Sequence, residues 1–244
     1  MKRISISKRR IRIRDALIEY GKELERKKSY PLFTNNLKAD DLVRNNAFAF
    51  LIAVLMDHGM KAEKAWEMPF ELKLRLGHLN TKKIAIIKEE RLIELFNKTP
   101  KLHRFPNVMA LRVKKACCLL MEKYEGMAEN LWGDCLSAKV LQDRFREFEG
   151  IGQKKASMGV NMLVRDLGIK LKDKSGLDVS YDVHVRRVFV RTGLVRKDSM
   201  DLIVETARRL YPEYPGILDY PSWVIGREYC YQRKPRCEEC KICE

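Results

Sequence analysis

A chain of 244 residues with 45% hydrophobic and 34% charged residues has the makeup of an ordinary globular protein and excludes a disordered or fibrous one. Its 49 Lys and Arg against 33 Asp and Glu leave a formal charge of +16, without the balancing glutamate excess of a heat-adapted surface, so a polyanion is the expected partner, nucleic acid ahead of membrane. No apolar run is long enough for a bilayer, the start lacks the apolar core of a signal peptide, and seven cysteines, four of them clustered, fit reduced thiols and a metal; the expected location is intracellular and cytoplasmic.

Residues 1–10 are basic and read as a loose arm able to touch phosphate. From Ile11 to about Lys27, Ile11, Ile13, Ala16, Leu17, Tyr20 and Leu24 approximate a helical stripe, and 31–40 reads as a loop whose Asp40 or Asp41 caps the next helix. Asn46 to Met56 is apolar on nearly every side, which suits a helix buried in the middle of a bundle. It runs into Asp57-His58-Gly59, a polar turn placed to line a pocket. Helices are expected over 61–76, 81–97 and 106–124, separated by Gly77, Thr99-Pro100 and Gly126, and then over 138–148. Residues 169–181 read as a loop, and further helices are expected from Val183 to about Thr192, over 198–211 and over 221–230. With no period-two alternation and no internal repeat, the expected fold class is all-α.

Three motifs carry chemistry. Gly150-Ile151-Gly152-Gln153-Lys154-Lys155 joins two helical stretches; its glycines permit a sharp turn and leave the first amides of the second helix unobstructed. Such an N-terminus binds phosphate through N–H groups and its dipole, with Lys154 and Lys155 adding charge, and it holds the backbone of any DNA sequence. Taken alone, the same residues also describe a tight αα-hairpin with solvated lysines. Asp182 directly precedes a helical pattern, which makes it an N-cap, and an ionised carboxylate there also suits a cationic, oxocarbenium-like sugar centre. Cys230, Cys237, Cys240 and Cys243 have a Cys-x6-Cys-x2-Cys-x2-Cys spacing, which asks for four thiolates on a tetrahedral zinc or an iron–sulfur cube.

These blocks resemble the helix-hairpin-helix (HhH-GPD) DNA glycosylases of the endonuclease III type. Gly150 to Ala156 looks like the family's hairpin, with Lys154 at the catalytic-lysine position. Tyr181-Asp182-Val183-His184 looks like its Val-Asp-Thr-His segment, with Asp182 at the catalytic aspartate. Gly226 to Cys240 is similar to its iron–sulfur loop, and Phe50 to Leu55 to the buried helix before its base-flipping residue. The resemblance spans most of residues 46–243. It implies two helical domains with a DNA cleft between them: a six-helix-barrel-type domain over 41–166 containing the hairpin (about 138–166), and a helical iron–sulfur domain from 1–40 and 167–244.

It further implies a monomeric base-excision-repair glycosylase acting on double-stranded DNA with a damaged or mismatched base. Asp182 and Lys154 would be catalytic, with β-elimination (AP lyase) through Lys154. Gly150, Ile151, Gly152, Gln153, Lys155, Arg233, Lys234 and Arg236 would contact DNA, Asp57 and His58 would line the pocket or fill the gap left by the flipped base, and Cys230, Cys237, Cys240 and Cys243 would hold a [4Fe-4S] cluster. A monofunctional glycosylase and a non-catalytic iron–sulfur DNA-binding module are the alternatives. Two departures from the family stand out: its last two cysteines are usually five residues apart where Cys240 and Cys243 are separated by two, which keeps zinc in play, and the 169–181 loop is longer than its norm.

Overall fold

The protein is described by a computed structural model that covers residues 7–26, 33–134 and 137–242. Among the described residues there are twelve α-helices and a few 3₁₀ turns, with one isolated bridge between Ser137 and Asp173 and no strand. Packing groups the chain into two units. One takes residues 31–135 and 143–155, the other residues 1–30, 136–142 and 156–244.

The hairpin-bearing unit is built around α3 (Ala47–Met56), in which Phe48 through Met56 are all buried. A helix apolar on every side has no face to offer water and must be enclosed. The helices α2 (Leu37–Asn45), α4 (Ala62–Leu76) and α7 (Pro106–Lys123) enclose it. Phe50 meets Trp66 and Trp132 edge-on at 5.6 and 6.2 Å between ring centroids, and Trp132 stacks on Phe145 at 6.4 Å. Asn46 caps α3 by accepting the Ala49 N–H at 2.8 Å.

Three expectations change here. Lys8 to Arg10, read as part of a loose arm, already belong to α1 (Lys8–Arg26). The supposed loop over 31–40 contains the start of α2, capped by Asn36; Asp40 is not a cap but lies buried within that helix, where it accepts from the Thr34 amide at 2.9 Å and hydroxyl at 2.8 Å. The stretch 81–97 divides into α5 (Thr81–Ala85) and α6 (Glu89–Asn97), both packed on α7; at the break, the Ile87 carbonyl is satisfied by the Lys114 ammonium, and Ile86 points outward.

The terminal unit has its own core. Leu17 and Tyr20 of α1 pack with Val185, Val188 and Phe189 of α10 (Val183–Arg191), Ile203, Ala207 and Leu210 of α11 (Met200–Leu210), and Val224 and Ile225 of α12 (Asp219–Glu228). The helices α10 and α12 come together at Gly226, which has no side chain: a Cβ there would fall 2.7 Å from the His184 carbonyl oxygen and Cβ. The division differs from the expected domains in two places. Residues 33–40 join the hairpin-bearing unit because α2 packs on α3 and α4. The part of α9 (Gln153–Arg165) beyond Lys155 joins the terminal unit, where Ser157 Oγ donates to Gln142 Oε1 at 2.7 Å and Asn161 Nδ2 to the Asp178 carbonyl at 2.9 Å.

Candidate active site and cysteine loop

The hairpin turn begins where α8 (Ala138–Arg146) ends. The Ile151 amide donates to the Phe148 carbonyl at 3.0 Å and closes the turn, with the Ile151 side chain buried. Gly150 has φ +92, and a Cβ on it would lie 2.8 Å from Arg112 Nε, so both backbone and space require glycine. Arg112 in turn reaches Glu149 at 3.5 Å, and Lys115 takes the other oxygen of that carboxylate at 2.5 Å. Gly152 is exposed, with nothing within 4 Å of where a Cβ would stand, so the backbone at the start of α9 is open to an approaching ligand. Gln153 opens that helix, which has no acidic residue in its first turn.

The two lysines part company. Lys154 Nζ stands 3.7 Å from Asp57 Oδ2, with its side chain 41% exposed. Lys155, expected on the DNA-facing surface, is instead buried, and its Nζ donates to the Leu55 carbonyl near the end of α3 at 2.6 Å. Burial is the main reason its amine is pushed down to about 8; Asp57 opposes that shift, while Arg112 and Lys154 add to it. Asp57 to Met60 on one side and Gly150, Gly152, Lys154 and Lys155 on the other line a cavity of about 310 Å³.

His58 is exposed at the rim, its ring 5.8 Å from that of Phe105, and burial followed by the Lys155 charge lowers its proton affinity. Gly59, at φ +67, lets the turn pass Phe105: a Cβ there would meet the ring at 2.9 Å. Behind them the buried His103 holds the end of α3. The Phe105 amide donates to Nδ1 at 2.9 Å, which leaves Nε2–H to donate to the Met56 carbonyl at 3.1 Å, and burial lowers the proton affinity of this neutral ring.

Asp182 lies in the terminal unit. It caps α10, its buried carboxylate accepting the His184 amide at 2.8 Å. Just before it, Ser180 donates both its amide (2.6 Å) and its hydroxyl (2.7 Å) to Asp219, whose carboxyl burial pushes up to about 6. At the other end of α10, arginines hold the cysteine loop by its backbone. Arg187 donates to the Gly226 carbonyl at 2.6 Å and the Cys230 carbonyl at 2.5 Å; Arg191 donates to the carbonyls of Tyr231 (2.5 Å) and Gln232 (2.8 Å) and approaches Cys230 Sγ at 3.5 Å. Arg233, Lys234 and Arg236 are all exposed on that loop, with Arg236 bonded to the Tyr231 hydroxyl at 2.6 Å and paired with Glu239 at 3.2 Å.

Cys230 and Cys240 pack against the unit's core, and Cys237 is exposed. Soft sulfur donors with an arginine at one of them suit thiolate ligation of iron or zinc. Among the described residues no three donors converge into a metal-holding group, and Cys243, the expected fourth ligand, lies outside the described residues. No helix among the described residues is long and apolar enough to cross a membrane.

Sequence reasoning missed Arg112, His103, Asp219 and the clamping role of Arg187 and Arg191. Each acts on a partner far along the chain, and none carries a local signal of its role.

No family model matches the chain. It is 26% identical over 230 residues to the endonuclease III of Rickettsia felis, covering 89% of this chain and 91% of that protein. In structure it is similar to a trapped endonuclease III–DNA covalent intermediate and to a non-covalent endonuclease III–DNA complex, each with TM-score 0.67 and 19% identity over 98% of this chain and 94% of the other. It is also similar to a thermostable thymine-DNA glycosylase, with TM-score 0.62 and 13% identity over 96% of this chain and 94% of that one. In sequence along most of its length, and in its all-helical fold, the chain is endonuclease III-like.

Proposed function

We propose that this protein is a DNA glycosylase of base excision repair that extrudes a damaged or mismatched base from duplex DNA and cleaves its N-glycosidic bond, with strand cleavage through Lys154. The observation that carries the reading is the gathering of the open hairpin backbone, Lys154 and the Asp57–His58 turn around one cavity of about 310 Å³. The amides at the start of α9 would hold a DNA phosphate, which fixes position without reading sequence. A base is chemically accessible only out of the stack, and His58, exposed at the cavity rim, would occupy the gap. Asp182, kept ready by its cap position, would stabilise positive charge on the sugar as the base departs. The neutral Lys154 amine would attack the sugar carbon and form a Schiff base, from which β-elimination cuts the strand. Cys230, Cys237, Cys240 and Cys243 would hold a [4Fe-4S] cluster that supplies a structural tie, presenting Arg233, Lys234 and Arg236 to phosphate.

The test is a panel of duplexes with single oxidised, alkylated, deaminated or mismatched bases, with borohydride present. Wild-type protein is expected to excise at least one lesion and form a trapped complex. Lys154→Ala removes the trapped complex, and Asp182→Asn slows excision about 100-fold or more. Excision that proceeds at full rate in Asp182→Asn, or no excision across the panel, sinks the reading. A monofunctional enzyme is the second reading, favoured by the 3.7 Å pairing of Lys154 with Asp57. Excision without any trapped complex selects it.

A further inference from the structure

Lys155 is a hairpin residue whose observed setting differs in kind from its expected one, a buried amine where an exposed one is expected, and no step of the proposed chemistry uses it. Its amine is immobilised on the Leu55 carbonyl, beneath the turn and at the wall of the same cavity that Lys154 lines. The groups that act on it come from every element around it: Asp57, His58 and His103 from the residues beyond α3, Arg112 from α7, and Lys154 from its own helix. Glu149 is taken up by Arg112 and Lys115, while Asp57 pairs with Lys154 at 3.7 Å and acts on Lys155 as well.

We infer that Lys155 is a positioning residue that keeps the neighbouring Lys154 amine reactive: anchored under the hairpin at the wall of the same cavity, it sets a second, fixed positive charge beside the Lys154–Asp57 pair, so that Lys154 gives up a proton more readily. The inference rests on the reading of Lys154 as the working amine. Electrostatic repulsion is mutual: the Lys154 charge lowers the proton affinity of Lys155, so the Lys155 charge acts back on Lys154. The influence is also self-limiting. Because the Lys155 amine sits at about 8, its charge is present at neutral pH and gone in alkali.

The experiment needs no DNA. Acetic anhydride labels neutral amines, and the labelling rate of Lys154 is read by peptide mass spectrometry at pH 7 and pH 9.5 in folded wild-type protein and in Lys155→Met and Lys155→Arg. Lys155→Met is expected to label Lys154 about tenfold more slowly at pH 7, corresponding to about one pH unit, and at the wild-type rate at pH 9.5. Lys155→Arg, with a charge that does not titrate, keeps the wild-type rate at pH 7 and exceeds it severalfold at pH 9.5. An unchanged rate at pH 7 in Lys155→Met, or an equal deficit at both pH values, overturns the inference. Should Lys155→Met fail to fold, a Lys155→Arg rate at pH 9.5 no higher than wild type overturns it alone. Excision and trapping are scored separately, so loss of the glycosylase reading leaves the labelling result standing, and the reverse holds too.

Discussion

The hairpin-bearing unit and the terminal unit place their charges by opposite means. Around the cavity, Lys154 meets Asp57 at a loose 3.7 Å and Lys155 is desolvated against a single carbonyl. In the terminal unit the corresponding charges are tied to backbone: Asp182 to the His184 amide, Asp219 to the Ser180 amide, and Arg187 and Arg191 to four loop and helix carbonyls. Desolvation and loose pairing tune how easily a proton leaves. Backbone bonds fix where a group stands. Burial dominates at Lys155, whereas backbone hydrogen bonds hold Asp182, Arg187 and Arg191.

The comparison can be broken at several points. The largest stability effect is expected at Phe50→Ala, which empties the centre of the hairpin-bearing unit beside Trp66 and Trp132 and costs roughly 3–5 kcal/mol by chemical denaturation. Arg187→Ala removes two carbonyl bonds at the root of the cysteine loop, a loss of about 1–3 kcal/mol, and on the proposed iron–sulfur reading the purified variant is expected to carry less iron than wild type by metal analysis. Unchanged iron content would show that the loop is held without this arginine.

Acid should sharpen the contrast further, with opposite sign in the two units. His103 is neutral and its proton affinity is depressed below the ordinary 6.5, so its stabilising contribution is present above that pH and is lost as pH falls. Asp219 is raised from 3.8 to about 6, so its contribution is complete below about pH 4 and is lost as pH rises through 6. Melting temperatures between pH 4.5 and 7.5 are expected to show the wild-type advantage over His103→Gln shrinking on acidification, and that over Asp219→Asn shrinking on going to neutral pH. Parallel trends in the two variants would contradict the assignment. The Asp219 effect across this range is on the order of 2 kcal/mol.

Much of this architecture is visible in the bare chain, for local reasons. The unbroken apolar run of α3 can only be buried, Gly150 and Gly152 mark a turn, and Asp182 before Val183 is a cap by residue type and position. Local signals fail where a distant partner decides. Asp40 resembles a helix cap until Thr34 claims it, and the run through Ile86 and Ile87 resembles continuous helix although α7 binds it as two pieces. By residue type alone Lys154 and Lys155 are indistinguishable, and only the family resemblance assigns them different roles. Rotation of about 100° along α9 sends one to the cavity's open side and the other under the turn, against the Leu55 carbonyl.

The arginine clamp on the cysteine loop has one more consequence. Asp182 caps the first turn of α10, and Arg187 and Arg191 project from the remainder of the same nine-residue helix, a rod about 13 Å long. A rod transmits displacement from end to end. Displacement of the cysteine loop therefore has a direct mechanical route, through α10, to the Asp182 carboxylate at its other end.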